Sequence, residues 1–381
     1  MSSLKIFCVA YVSIVLLSYI SLSLNFAKGV ETVKTWIVDD DDPADFRSIQ
    51  EAVNAASIGD TIYVKAGTYD GNIVINKTVS LIGEDKQNTI VQAYKRWNSR
   101  AVIQLTANNV NVNFFTVIAK SSSYYDSCIL IDHSRGNNIS HNILRSNDVG
   151  IHLLSSNSNS LTNNNAKTIH LIGVSLQDSS YNTIVNNTVS NFPDATGILI
   201  TNNSSNNVVA GNNLSQLHAG ITLEDSSNNL IGDNIVSDNE LGICLQSNCD
   251  NNTIVDNEVS RNDCGIEIDV GFNSDNVIYH NEFLENTLQV QVSSGQVKMD
   301  KGYPTGGNHW SGWADEDLYS GPCQNETGSD GIFDNPYVIN EDNMDHYPIV
   351  PEYPAWTPII LLLLVLTIAV AIDVKFPRAK G

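Results

Sequence analysis

The chain has 381 residues, enough for one long domain or two ordinary ones. Its 42 acidic residues outnumber 20 basic ones and give a formal net charge of -22. A surface this acidic repels phosphate backbones, so nucleic acid is not expected as a partner. The many β-branched apolar residues among Asn and Ser indicate a folded, β-rich protein and not a disordered one.

The N-terminal segment, residues 1–27, has the layout of a targeting sequence. Lys5 precedes a largely apolar run over residues 6–24. A charged start followed by such a run is typical of a secretory signal, and its length also suits an uncleaved anchor. We therefore expect a signal peptide or an N-terminal anchor.

Residues 45–56, DFRSIQEAVNAA, predict a short amphipathic helix. The apolar residues Phe46, Ile49, Ala52, Val53 and Ala56 recur at helical spacing, and a strand-like, glycine-punctuated sequence follows over 59–84. A single helix in this place predicts a cap on the hydrophobic end of a repeat stack.

A glycine followed by an apolar residue recurs every 22 to 24 residues through the middle of the chain. A period in this range indicates stacked supersecondary units. Cys128 and Gln289 replace the glycine at the two ends of the series. The glycines are Gly150, Gly173, Gly197, Gly220, Gly242 and Gly265.

Within each repeat, short alternations of apolar and polar residues predict strands, and no window keeps a helical period. Three short strands with turns predict an all-β parallel β-helix over residues 35–295, a solenoid of about ten rungs. Leucine-rich repeats have a similar length, but their leucine pattern is missing. An asparagine before each glycine is expected to hydrogen-bond its counterpart one rung away. This predicted ladder comprises Asn142, Asn165, Asn187, Asn213, Asn234, Asn257 and Asn281.

The strand after each glycine predicts a polar face. Apolar residues along it are expected to point inward and the intervening residues outward. We interpret the outward residues as a carbohydrate-binding face, formed by His152, Gln177, Thr222, Glu224, Gln246, Glu267 and Asp269.

Candidates for catalysis lie on the same face. Glu267 and Asp269 alternate on one strand and would be about 7 Å apart, within the range for inverting glycoside hydrolysis. Glu224 is the third candidate. The competing interpretation is a solvated acidic face, because any acidic pair at this spacing gives the same distance. The turn DHSRG at 132–136 is a second candidate cluster, which competes with a simple salt bridge.

The C-terminal part divides into three segments. Residues 296–350 predict a capping module with an acidic loop, and residues 351–374 a linker and a transmembrane helix. Trp356 precedes the apolar run PIILLLLVLTIAVAI, and the basic residues of 375–381 follow it. This order favours a single C-terminal anchor in the cell membrane, with a cytoplasmic tail and an extracellular or periplasmic body. A buried core helix is the alternative.

Two stretches carry a family resemblance. SIQEAVNAASIGDTIYVKAGTY resembles the opening of pectin-lyase-like β-helix proteins. GGNHWSGWADEDL and SDGIFDNPYVINEDNMDHYPI resemble the closing region of the NosD-type family, named for a periplasmic copper-enzyme accessory protein, and of archaeal surface proteins built like it. The resemblance implies a right-handed coil and a tendency to bind carbohydrate.

Two metals follow from the resemblance. NETGSDGIFDNPY resembles a family loop suited to calcium, with Glu326, Asp330 and Asp334 at ligand-like positions. The competing interpretation is an acidic loop that caps the last rung. Copper is implied by the family name, but copper prefers thiolate, thioether or clustered imidazole, and this chain has few methionines and scattered histidines. We therefore do not expect a copper site.

The sequence predicts a membrane-anchored, extracytoplasmic β-helix that binds glycans or cell-surface proteins without chemistry of its own. Two alternatives stay open. One is a polysaccharide lyase, hydrolase or epimerase that uses the carboxylates of the polar face, and the other is a structural surface spacer.

Overall fold

The computed structural model describes residues 32–41, 43–93, 100–119, 127–146, 148–269, 274–293 and 295–351. The predicted leader, the predicted transmembrane helix and the predicted cytoplasmic tail lie outside the described residues. Within the described ranges, no helix is both long enough and apolar enough to cross a membrane.

The body of the chain is a right-handed parallel β-helix of about 11 turns, which confirms the predicted fold class. Successive rungs pair in parallel, so every strand bonds to the strand one turn before and one turn after it. Three faces result, which we name face 1, face 2 and face 3 in the order in which the chain meets them.

Face 1 is an 11-stranded sheet. Its strands are Thr35–Val38, Thr61–Val64, Ser80–Gly83, Asn111–Asn113, Asn138–Ser140, Ser160–Thr162, Thr183–Val185, Val208–Ala210, Leu230–Gly232, Thr253–Val255 and Val277–Tyr279.

Faces 2 and 3 share one continuous sheet, because the strands Thr188–Thr201 and Asn213–Glu224 run through both. The other strands of face 2 are Gly67–Asp70, Thr89–Ala93, Thr116–Ala119, Ile143–Ser146, Asn165–Ile169, Ile235–Ser237, Glu258–Ser260, Glu282–Leu284 and His309–Trp310. The other strands of face 3 are Ile73–Ile75, Ala101–Leu105, Ser127–Asp132, Val149–Leu154, Ile172–Gln177, Leu241–Gln246, Cys264–Ile268 and Leu288–Val292.

The predicted N-terminal cap is the helix Ile49–Ala55, which is shorter than the amphipathic segment in the sequence. It buries Ile49, Ala52 and Val53 against the first rungs of the stack. Phe46 lies outside the helix and forms a bridge with Val38. The helix thus shields the end of the core that has no preceding rung.

The interior consists of aliphatic side chains stacked from rung to rung. On face 3, Ile129, Ile151, Val174, Ile198 and Ile221 follow one another in register, and all are almost fully buried. Burying such a side chain contributes about 1.5–3 kcal/mol. Each rung therefore adds at least one buried aliphatic side chain to this column and gains stability from burying it.

Buried asparagines form ladders at the turns, where each side-chain amide bonds to the asparagine one rung on. One ladder precedes face 2 and consists of Asn142, Asn164, Asn187, Asn212, Asn234, Asn257, Asn281 and Asn308. Another precedes face 1 and consists of Asn137, Asn159, Asn182, Asn207, Asn229, Asn252 and Asn276.

Two of the predicted ladder positions are wrong. Asn165 and Asn213 each follow the true ladder residue by one position, and Asn213 is exposed. Asn164 and Asn212 are the buried members. Both occur in runs of asparagine, so spacing from the glycine could not distinguish neighbours.

Other asparagines and aspartates in the turns have a different role. Most of the non-glycine residues with positive φ are Asn or Asp, such as Asn186, Asp233 and Asp256, each directly before a ladder asparagine. Their short polar side chains tolerate the left-handed region better than other side chains do. The abundance of asparagine therefore follows from the turns as well as from the ladders.

The repeated glycine marks a close approach between rungs. A Cβ added to Gly242 would lie 2.3 Å from the carbonyl oxygen of Gly265, the equivalent glycine one rung on. A side chain at this position would push the strands apart. The glycine series is therefore a requirement of stacking.

The C-terminal module closes the stack. Trp310 stacks on Phe283 of the last rung with ring centroids 4.4 Å apart, and Tyr337 stacks on its other side at 4.2 Å. The buried carboxylate of Asp345 accepts hydrogen bonds from the Asn308 amide at 2.7 Å and the Trp310 indole at 2.9 Å. The segments that carry the family resemblance thus form the cap of the solenoid.

Candidate functional site

Face 3 presents two rows of outward side chains, which we name row A and row B. Residues of each row pair across neighbouring strands, one per rung. Row A contains Gln104, Leu130, His152, Ser175, Leu199, Thr222, Cys244, Glu267 and Gln291. Row B contains Asp132, Leu154, Gln177, Thr201, Glu224, Gln246 and Asp269.

All seven residues of the predicted carbohydrate-binding face lie in these rows. His152, Thr222 and Glu267 belong to row A, and the other four belong to row B. Neighbouring strands lie about 4.8 Å apart, so each row repeats at that distance. The role of these residues in binding stays a prediction.

Burial changes along row A. Leu130, His152, Ser175, Thr222 and Cys244 point away from the core yet are no more than 7% exposed, whereas Gln291 at the C-terminal end of the row is exposed. A row that faced open solvent throughout would not show this difference. Much of row A is therefore buried, although sequence alternation alone predicts an open surface there.

His152 is one of these buried residues. Its Nε2 atom is buried and has no partner among the described residues, and Gln177 follows it on the next rung. Burial lowers the pKa of His152, and the charge of Arg100 lowers it further. The ring is therefore neutral at pH 7 and can accept or donate a hydrogen bond according to its tautomer.

Two polar residues two rungs before His152 were not predicted from the sequence. Arg100 lies at the start of the strand Ala101–Leu105, and Gln104 of that strand donates a hydrogen bond to Asp132 at 3.0 Å. The glycine series begins only after this strand, so the repeat gave no signal for either residue. Gln104 could have been found by extending the outward alternation one rung further toward the N-terminus.

The three candidate catalytic carboxylates occupy different surroundings. Glu267 lies beside Cys244 of the preceding rung, with Sγ and Oε2 3.6 Å apart. Glu224 contacts Thr201 at 3.5 Å, and Asp269 lies two rungs further along row B. Two rungs correspond to roughly 10 Å, so Glu224 and Asp269 do not approach each other closely.

In the turn at 132–136, Asp132 contacts His133 and not Arg135. The Nδ1 atom of His133 lies 2.6 Å from a carboxylate oxygen of Asp132. The other oxygen of Asp132 accepts the bond from Gln104. Within the described part of the chain, Arg135 has no ion pair with Asp132. Asp132 is thus contacted by His133 and Gln104 and not by the arginine considered for this turn.

In the acidic loop, the carboxylates of Asp330 and Asp334 accept hydrogen bonds from backbone amides. Asp330 accepts from Ile332 at 3.1 Å, and Asp334 accepts from Tyr319 at 3.0 Å, while Glu326 is exposed in a two-residue strand. In the described residues, no three side chains of the His, Cys, Asp and Glu types are grouped to hold a metal. Calcium binding by this loop stays a prediction.

The donors that copper prefers are dispersed. Burial raises the pKa of the Cys244 thiol to about 12 and that of Cys249 to about 11, so both stay protonated and are poor ligands. Met299 and Met344 line one cavity of about 1140 Å³ with His346. However, Met299 is fully buried in the core, and Lys298 and Lys301 in the same lining repel a cation. These residues do not fit a copper ion.

Comparison with known proteins relates this β-helix to one protein family. The model of a protein family described as "Periplasmic copper-binding protein (NosD)" matches residues 53–216 and 192–314, well over half of the chain. No curated protein matches the sequence.

Several solved structures share the fold at low identity. Tailspike protein 2 from Escherichia coli O157:H7 bacteriophage CAB120 is 16% identical with a TM-score of 0.54, over 74% of this chain and 43% of that chain. The A-module of mannuronan C-5 epimerase AlgE4 from Azotobacter vinelandii is 14% identical with a TM-score of 0.46, over 65% and 93%. A GH87 α-1,3-glucanase catalytic domain in complex with nigerose is 15% identical with a TM-score of 0.43, over 71% and 58%. These identities demonstrate a shared fold alone.

Proposed function

Because the chain belongs to the NosD family of β-helix proteins, we propose that it binds carbohydrate outside the cytoplasm, along rows A and B of face 3. The observation that carries this proposal is that each rung presents at least one polar outward side chain in rows A and B, in a fixed register. A linear polymer that lies along the stack meets at least one hydrogen-bonding group at each step. A repeating ligand suits a repeating surface.

Several side chains of these rows are suited to sugar hydroxyls. Gln177, Gln246 and Thr201 are partly exposed, and amide and hydroxyl groups can both donate and accept. Their backbones are fixed by parallel pairing on both sides. Such groups lose little freedom on binding, which favours affinity.

Location and attachment form part of the same proposal. The periplasmic description of the family supports a body outside the cytoplasm. The apolar segment after Trp356 would anchor the C-terminus in the cell membrane. Copper has no part in the proposal, because the available donors do not fit that ion.

A catalytic function is the second candidate, since similar folds include a polysaccharide epimerase and a glucanase. Glu267 and Asp269 would have to supply the acid and base. Glu267 contacts the thiol of Cys244 at 3.6 Å, and burial raises the pKa of that thiol to about 12, so the thiol supplies neither a base nor a cation beside Glu267. We therefore favour binding without conversion. A rigid spacer at the cell surface would need neither activity, so it is the outcome to expect if no glycan binds.

The test uses the full chain with a panel of acidic and neutral polysaccharides. We expect saturable retention without new reducing ends, unsaturated products or epimerised sugars. Replacing Gln177 and Gln246 together by Ala should weaken binding about tenfold, because each hydrogen bond contributes about 0.5–1.5 kcal/mol. Replacing Thr183 and Thr253 of face 1 by Ala is the matched control and should leave binding unchanged. Product formation that disappears in Glu267→Gln would replace binding by catalysis.

A further inference from the structure

The outer surface of face 1 changes along the stack. In the N-terminal half its outward residues are polar, as in Asn111–Asn113 and Ser160–Thr162, where only the central residue points into the core. In the C-terminal half most outward residues are apolar, so that strands such as Val208–Ala210 and Val277–Tyr279 are apolar on both sides. We name the outward residues Val185, Val208, Ala210, Leu230, Val255 and Val277 the apolar strip.

The apolar strip has the composition of a sheet surface that another element covers. Parallel strands that are apolar on both sides are typical of sheets with both faces buried, yet Leu230 is 39% exposed. Gly232, between Ala210 and Val255 in the same row, has no side chain. A glycine inside a strand is common where another backbone approaches closely. The strip is therefore suited to contact with a further segment of protein.

The dimensions of the apolar strip match those of a short helix. The strip comes from five consecutive strands of face 1, from Thr183–Val185 to Val277–Tyr279, which pair in register. With strands about 4.8 Å apart, it is roughly 19 Å long. A helix of about 13 residues covers that length at 1.5 Å per residue. An amphipathic helix of this length can place one apolar side against the whole strip.

The surroundings of the apolar strip are acidic. Residues 168–292, which contain the strip, include sixteen acidic residues and a single basic one, Arg261. Arg261 already pairs with Asp238 through two bonds of 2.9 Å. The strip is thus an uncharged surface in a part of the solenoid that repels anions and attracts cations.

An acidic groove of about 320 Å³ lies along one edge of the apolar strip, at the corner between faces 1 and 2. Asp233 directly follows Gly232, and Asp256 directly follows Val255. Among the described residues, the one ionic contact of these carboxylates is that of Asp256 with His280, at 3.6 Å. The groove is lined by the carboxylates of Asp233, Asp256, Glu258 and Glu282.

We propose that the apolar strip is a docking surface for an amphipathic helix of a partner protein, whose apolar side covers the strip and whose lysine or arginine side chains enter the acidic groove. This surface is separate from rows A and B, so the inference goes beyond the proposed function. Charge complementarity selects this partner, because the groove offers four carboxylates beside an apolar surface.

A second copy of the chain and a membrane surface match these charges less well. Asp225 and Asp250 precede the strands Leu230–Gly232 and Thr253–Val255, so the other edge of the strip is acidic too. Two copies that met along the strip would therefore oppose carboxylates to carboxylates in either orientation. A surface of anionic lipids would be repelled for the same reason.

The test offers three helix-stabilised synthetic peptides of about 13 residues to the full chain. The first has leucines along one side and lysines along one edge of that side. The second has glutamate in place of each lysine, and the third has serine in place of each leucine. We expect the first peptide to bind saturably, and at least tenfold more tightly than either of the others, in fluorescence anisotropy.

A double variant, Leu230→Thr with Val255→Thr, tests the apolar strip. Threonine is compatible with this surface, because Thr253 already lies between them in the register. The variant should bind the first peptide about tenfold more weakly, since hydroxyl groups replace apolar contact area. Ile82→Thr with Ile118→Thr changes two partly exposed outward residues in the N-terminal half. This matched control should change the dissociation constant less than twofold, and circular dichroism checks the folding of both variants.

A second pair of variants tests the acidic groove. Asp256→Asn with Glu258→Gln should weaken binding of the first peptide about fivefold and reduce its dependence on salt. Asp263→Asn with Glu285→Gln removes the same charge at the corner between faces 2 and 3, where both residues are exposed. This control should change the dissociation constant less than twofold, because general attraction to an acidic protein is reduced equally in both variants.

The outcomes decide between the possible occupants. If the three peptides bind equally or not at all, or if test and control variants lose equal affinity, the docking surface is overturned. Two further results also overturn the partner helix. A dimer of the full chain that Leu230→Thr with Val255→Thr dissociates in analytical ultracentrifugation would assign the strip to a second copy. Binding to phosphatidylcholine or phosphatidylserine vesicles that the same variant loses would assign it to a lipid surface.

Failure of this inference and failure of the proposed function are distinguishable. Gln177 and Gln246 lie on face 3, so replacing both by Ala should leave binding of the first peptide unchanged. Leu230→Thr with Val255→Thr should likewise leave polysaccharide binding unchanged. Loss of both kinds of binding in one folded variant would contradict the separation of the two surfaces and overturn the inference.

Discussion

The carboxylate of Asp345 accepts a hydrogen bond from the indole of Trp310 at 2.9 Å, although Asp345 lies 35 residues further along the chain and has no exposed surface. The same carboxylate also accepts from the backbone amides of Asn308 and Tyr347. It thus joins the last asparagine of a ladder to the aromatic stack that closes the core. The cap depends on one buried acid.

The stability of the cap should depend on pH through Asp345. Burial raises the pKa of this carboxyl from 3.8 to about 7, against the opposing effect of its three donors. The folded protein therefore keeps the proton between about pH 4 and pH 7 while the unfolded chain has lost it. Stability should fall as pH rises through this window, by roughly 4 kcal/mol at most, and level off above it. Apparent melting temperatures from pH 4.5 to 8.5 test this.

Asp345→Asn is the control for that pH dependence, because a second contact between ionisable side chains, Asp300 and His346 at 2.9 Å, lies beside the cap. The variant should be less stable at pH 5 and should lose most of the slope between pH 4 and 7. Trp310→Phe removes a donor that lowers the pKa, so its window should move to higher pH. An unchanged slope in Asp345→Asn would assign the effect to another group.

Adjacent asparagines should differ sharply in their contribution to stability. Asn212 donates to Ile184 and Asn234 and accepts from Asn187, and it is fully buried. Asn212→Ala leaves several buried groups without partners and should cost about 3 kcal/mol or more. The neighbouring substitution, Asn213→Ala, changes an exposed side chain and should cost less than about 0.5 kcal/mol. Chemical unfolding of both variants gives the comparison, and equal losses would contradict the ladder.

Thiol labelling should distinguish one cysteine from the other four that the structure describes. Cys323 is exposed, whereas Cys128, Cys244, Cys249 and Cys264 are buried. Burial raises the pKa of Cys244 to about 12 and that of Cys264 to about 11, so almost no thiolate is present at pH 8. Of these five, a maleimide should modify only Cys323 in the folded protein and all of them after unfolding.

Mass spectrometry of labelled peptides reads this result directly. Cys323→Ser removes the fast reaction at that position and provides the matched control. Rapid modification of Cys244 in the folded state would mean that face 3 opens between Cys244 and Glu267 far more readily than the structure indicates.

The fold could be predicted because the constraint repeats. Each turn of the coil needs a glycine where rungs approach closely and an asparagine amide that hydrogen-bonds along the stack. Both residues therefore recur in the sequence with the period of the coil. The choice between Asn164 and Asn165 could not be predicted, since asparagine also serves in the left-handed turns and the rungs differ in length.

The site was predictable only in part. Alternation along a strand predicts which side chains leave the core, and rows A and B follow that rule. His152 is only 7% exposed although it points away from the core, and no local pattern in the sequence carries that information. Likewise, Asp334 accepts a hydrogen bond from a backbone amide, and the sequence alone does not distinguish such a carboxylate from one that binds a cation.

The asparagine ladder that ends at Asn308 has a consequence for how such chains can vary. Each amide needs only an equivalent neighbour, and the final one is completed by Met299 and Asp345 of the cap. Deleting or duplicating one whole coil leaves every amide with a partner, whereas losing part of a coil does not. Length differences among relatives should therefore come in whole coils, with both ends kept. Duplication of the DNA that encodes one coil would then lengthen the solenoid without changes to the residues at its two ends.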